Sequence, residues 1–160
     1  MRLLMKKYWP LASLTFIAIL AATALASHDA FTHARWMHYF MGFFLSQFAM
    51  LKMFRPVDFA DGFQMYDLIA TKSRIYAFLY PLIELGLGMG YLAFFAPTFI
   101  YLATMLILGI GAVGVIKALK RGLDVRCACM GTVLDVPLST VTLTEDLAMI
   151  VMAFILLVTH

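Results

Sequence analysis

Charge is what this chain has least of. Only 13% of its 160 residues are Asp, Glu, Lys or Arg, against 64% hydrophobic, whereas about a quarter of a soluble domain is charged. A chain this poor in charge, with several long apolar runs, lacks a soluble domain's surface and reads as an integral membrane protein. Cysteine is almost missing too: Cys127 and Cys129 are the only two, one position apart. No phosphate-binding loop, nucleophile elbow or nucleic-acid signature is present. The net charge of +3 does not point to nucleic acid, because the basic residues flank apolar spans instead of forming a stripe.

The apolar residues are organised as spans. The first covers about 8–26, behind Arg2, Lys6 and Lys7. Ala24-Leu25-Ala26 before Ser27 also suits a signal peptide, but roughly 18 apolar residues can cross the hydrocarbon core, and a retained helix is the reading adopted. Further spans cover about 36–54, 75–95, 98–119 and 137–158, the last opened by Pro137. Between the second and third, Phe59, Phe63, Tyr66, Leu68 and Ile69 alternate with Asp58, Asp61, Asp67 and Lys72, which predicts a short amphipathic helix in the interface. Ala96-Pro97-Thr98 reads as a tight turn. The expectation is an all-α membrane protein, one domain over 1–160. It is a polytopic helical bundle of five spans, the first an N-terminal span, with one interfacial helix.

Loop charges give an orientation. Arg2, Lys6, Lys7, Lys52, Arg55, Lys72, Arg74, Lys117, Lys120, Arg121 and Arg126 fall on one side, eleven against Arg35 alone. By the positive-inside rule the larger group is cytoplasmic. The amino terminus and the cysteine loop, 120–136, then face the cytoplasm of a bacterial inner membrane.

Cys127 and Cys129 are the first candidate site. In an extended loop, residues two apart point the same way, so both thiols, with the Met130 thioether beside them, can share a soft metal ion. They can equally cycle between dithiol and disulfide, and a bridge closing so small a ring is strained and easily reduced. Arg126, Lys120 and Arg121 favour the thiolate that either role needs. Two inert cysteines are the third reading.

A second group, His33, Met37, His38 and Met41, opens the second span, with His33, Met37 and Met41 at four-residue spacing on one helix face. Thioether and imidazole suit Cu(I), although methionine also fills apolar cores. The third group is acidic. Glu84 and the Glu145-Asp146 pair each lie roughly 12–14 Å inside a span at 1.5 Å per residue, so they can meet at one depth. Carboxylates there mark an ion or proton path, or a buried polar network. Thr142 to Glu145 also fits a capping box, which would make Glu145 a helix start. Gly86, Gly88 and Gly90, with Gly109, Gly111 and Gly114, suggest close helix packing.

From about Trp36 onward the chain resembles the MauE/DoxX-like redox-associated membrane proteins. The likeness is carried by Met41-Gly42-Phe43-Phe44, Gly62-Phe63 with Tyr66-Asp67, Tyr80-Pro81 with Glu84, and above all the run from Cys127-Ala128-Cys129-Met130-Gly131-Thr132 through Pro137 to Glu145-Asp146. The resemblance implies a four-helix core and, in its methylamine-utilisation members, a link to maturing an exported, disulfide-rich enzyme subunit. Similar chains also stand beside heavy-metal-binding modules.

Two functions remain open beside a structural subunit, and each is compatible with a homo-oligomer. One is a thiol-redox accessory protein, in which Cys127 and Cys129 exchange with a thiol-redox partner and Glu84, Glu145 and Asp146 move protons. A relay across the membrane then needs a quinone or a partner thiol as its second redox centre. The other is a soft-metal carrier. It passes Cu(I) or Hg(II) from His33, Met37, His38 and Met41 to Cys127 and Cys129, and a metal-binding chaperone domain is its partner.

Overall fold

A computed structural model describes residues 2–28, 31–122 and 140–159. Among these described residues six helices follow one another: α1 (Arg2–His28), α2 (His33–Phe54), α3 (Pro56–Phe63), α4 (Arg74–Leu92), α5 (Pro97–Lys120) and α6 (Thr140–Thr159). No strand occurs among the described residues. The cysteine motif, with Cys127, Cys129 and Met130, lies outside them, as does Pro137.

Local chemistry sets the breaks. Arg55 leaves the helical region (φ −138°, ψ 70°) because the ring of Pro56 disfavours a helical residue before it, so α2 stops and α3 starts with proline at its first turn. Ser73 caps α4 by accepting from the Tyr76 backbone N–H. Gly122, at φ 66°, ends α5 in the left-handed conformation that glycine adopts freely. The α4–α5 turn is 93–96 and ends two residues earlier than Ala96-Pro97-Thr98: Pro97 already belongs to α5. In that turn Phe94 (φ 51°) and Ala96 (φ 39°) are also left-handed, at roughly 1–2 kcal/mol for each such residue with a Cβ.

α2 packs against α4, α1, α6 and α3, and α5 pairs with α6. One apolar core joins Met41, Phe44 and Leu45 of α2 to Tyr91, Tyr101, Met149 and Ala153. A second, aromatic core of Phe59, Phe63, Tyr66 and Tyr80 closes the end where α5 stops and α6 starts. The outer surface is apolar as well: Phe16, Leu20, Leu82, Leu102, Leu106, Phe154 and Val158 are exposed. Water would not tolerate so continuous an apolar exterior; lipid does. Trp9–His28, Arg74–Leu92 and Pro97–Lys120 are long and apolar enough to cross a membrane. The chain is a multi-pass, all-helical membrane protein.

A short helix does form where the sequence predicts an amphipathic one, but it ends before Tyr66, Leu68 and Ile69. Eight residues form α3, and turns carry the chain on to α4. Asp58, Asp61 and Lys72 are exposed as expected. Asp67 is not: it is fully buried, its Oδ1 accepting from the backbone N–H groups of Ile69 (2.9 Å) and Ala70 (2.8 Å). The short acid is held by the turn that it organises. The glycine expectation holds at Gly88, Gly90 and Gly114, where an added Cβ would meet a neighbouring segment at under 3.0 Å. α2 and α4 approach at Gly42 and Gly88, where a Cβ on Gly88 would stand 2.6 Å from Ser46 Oγ and 3.0 Å from the Gly42 carbonyl oxygen. A Cβ on Gly86 or Gly109 would meet nothing within 4 Å.

Candidate functional site

Polar side chains gather inside the bundle at both ends. At the α5–α6 end, Lys52 from the last turn of α2 turns inward and pairs with Glu84 of α4. Lys52 is 3% exposed and Glu84 4%. The ammonium also lies 5.0 Å from the centroid of the Tyr80 ring and 5.7 Å from that of Phe59, so two aromatic faces replace part of its lost hydration. From α6, Glu145 and Asp146 line the same small void of about 20 Å³ with Phe48 and Met149, room for one water-sized group. Asp146 lies beside Gly111 of α5, where a Cβ would sit 3.8 Å from Oδ2, in ordinary van der Waals contact.

The acids expected at one depth are thus brought together. Lys52, which completes the site, escaped the sequence reading, which counted it among the loop cations; with Lys52 in the bundle, ten basic residues remain on that side against Arg35. A lysine in the last turn of an apolar helix has the same local sequence whether it reaches out to water or turns inward. The capping-box alternative for Glu145 falls away, since α6 begins at Thr140 and Thr142 is already helical. Just outside the spans, burial pushes the Asp67 carboxyl above its usual range, and the two backbone N–H groups pull it partly back.

At the other end, the group His33, Met37, His38 and Met41 does not converge. His33 is exposed at the first residue of α2, with its ring edge-on to Phe31. Met37 packs against the core and Met41 is inside it. His38 turns into the bundle: Nδ1 donates to the Tyr91 carbonyl oxygen (3.1 Å) and Nε2 accepts from the Tyr101 hydroxyl. The carbonyl can only accept, which fixes the proton on Nδ1. Phe94 stacks on the imidazole, centroids 4.4 Å apart. Among the described residues, no three His, Cys, Asp or Glu side chains are placed to hold a metal ion.

A helical bundle with a lysine–carboxylate site inside its spans defines a polytopic membrane protein that stabilises charge away from water. Residues 30–159 match the family described as methylamine utilisation protein MauE, and the chain belongs to that family. No curated protein and no solved structure matches the chain.

Proposed function

We propose that this protein is a thiol-redox accessory protein of the MauE type. It is read as serving a methylamine-utilisation system from the bacterial inner membrane, through five spans with the amino terminus and the Cys127–Cys129 segment cytoplasmic. One cysteine, as thiolate, attacks a partner disulfide and expels one partner sulfur; the other cysteine then attacks the mixed disulfide and releases the second. Two electrons pass from the Cys127–Cys129 dithiol to the partner, and the two protons that leave the thiols end on the partner's two sulfurs. Run in reverse, the small-ring disulfide oxidises a partner dithiol.

The observation that carries this reading is the meeting of Glu84, Glu145 and Asp146 around Lys52, at the end of the bundle from which the cysteine segment departs. Three carboxyl groups on one void, one of them paired with an ammonium, can take up and hand on the protons that such exchange moves between thiols. The soft-metal route draws no comparable support. Its entry residue His38 has both ring nitrogens engaged, and Met41 is core.

The test is to trap the thiol state of the purified protein and to measure bound metal, before and after Cys127→Ser/Cys129→Ser. A disulfide that forms and turns over with a partner dithiol, without metal, is the expected result. Bound Cu(I) lost in the variant, with no disulfide ever trapped, would replace redox exchange by metal carriage.

A further inference from the structure

Neither the cysteines nor the carboxylate site uses the His38–Tyr101 couple. It lies on the wall of a hollow of about 300 Å³ at the α4–α5 end, with Ala34, Phe94 and Thr159 at its sides. We propose that this hollow binds the ring of a lipid-soluble quinone or its quinol.

Three observations point to that class. The volume suits one substituted six-membered ring and little more, at the small end of ligand sites. The polar couple is already aligned: the Tyr91 carbonyl orients His38, and His38 orients the Tyr101 hydroxyl. A phenol held in this way can serve both redox states. It accepts a hydrogen bond from a quinol hydroxyl while donating to His38, or turns its own hydrogen to a quinone carbonyl. The third observation is the wall. Phe94 stands over the imidazole on a left-handed backbone, and its two chain neighbours, Ala93 and Phe95, border an apolar groove of about 540 Å³ between α4 and α5. A ring at the couple therefore has an aromatic neighbour, and surface suited to a prenyl chain lies close by.

The experiment uses the full chain in nanodiscs of synthetic phosphatidylcholine. Trp9→Phe leaves Trp36, two residues from His38 on α2, as the one tryptophan. Decylubiquinone, oxidised or reduced, is expected to quench Trp36 fluorescence saturably. Tyr101→Phe should weaken binding by about fivefold to tenfold, the loss of one hydrogen bond. That substitution touches a buried couple, so Ala34→Phe, on the exposed first turn of α2, fills the same hollow without disturbing it and should abolish binding. Cys127→Ser/Cys129→Ser should bind as the parent does, which separates this site from the redox reading. Quenching that only rises linearly, that decanol competes away equally, or that survives both Tyr101→Phe and Ala34→Phe would overturn the proposal. So would loss of binding in the cysteine variant.

Discussion

Lys52 and Glu84 stand 32 positions apart in the chain and form one buried ion pair between α2 and α4. Each makes the other tolerable where lipid surrounds the bundle, because an isolated buried charge costs several kcal/mol. Lys52→Met alone should therefore destabilise the folded bundle by about 3–5 kcal/mol, since it strands the carboxylate. The double change Lys52→Met/Glu84→Leu removes both charges and should return to within about 2 kcal/mol of the parent. Denaturant unfolding in micelles measures both, and a double variant no better than Lys52→Met would show that the pair does not act as a unit.

The α2–α4 crossing makes a sharper contrast between two glycines only two residues apart. Gly88→Ala pushes a methyl into Ser46 and the Gly42 carbonyl, and should cost about 1–3 kcal/mol as the helices separate. Gly86→Ala meets open space and should be neutral or stabilising by up to about 1 kcal/mol, because alanine loses less backbone entropy. Equal effects at the two positions would mean that the helices do not cross at Gly42 and Gly88.

Much of this architecture was legible in the sequence because lipid imposes a simple rule: apolar runs long enough to span, bounded by charge or proline. Glu84 and Glu145 could be set at one depth by counting residues, since the helical rise is fixed. Side-chain direction was harder to read. Lys52 and Asp67 are polar residues at the edges of apolar segments, where local sequence is the same whether the group faces water or a partner inside. Their partners, Glu84 across the bundle and the turn at Ile69 and Ala70, exist only once the chain has folded. His38 misled for a related reason. Its neighbours in sequence are methionines, but its neighbours in space are Tyr91, Phe94 and Tyr101.

Asp67 gives the fold a pH dependence whose sign can be worked out. Burial raises its folded carboxyl above the ordinary value of 3.8. Below that value the carboxyl is protonated in both states and contributes nothing. As pH climbs past it, the unfolded chain ionises first, so stability falls until the folded carboxyl ionises too, and is level above that point. Asp67→Asn keeps an oxygen for the Ile69 and Ala70 N–H groups and removes the titration. The difference between parent and variant, followed by unfolding from about pH 4 to about pH 7, should favour the parent increasingly towards acid. Asp67→Ala loses the turn as well and should cost about 1–2 kcal/mol at every pH. A parent–Asn difference that stays flat over this range would mean that the buried carboxyl is not perturbed.

The cytoplasmic placement proposed for the cysteines rests on charge, and with Lys52 inside the bundle ten basic residues still stand against Arg35 alone. An impermeant maleimide added to right-side-out vesicles should leave Cys127 and Cys129 unlabelled until the membrane is opened, and should label them at once in inverted vesicles. Thr98→Cys, exposed at the start of α5, placed in a Cys127→Ser/Cys129→Ser background, should give the opposite pattern, because α5 carries its two ends to opposite faces. Labelling of the native pair from outside, with Thr98→Cys protected, would invert the whole bundle. The carboxylate site would then serve the outer compartment and the His38 hollow the cytoplasm.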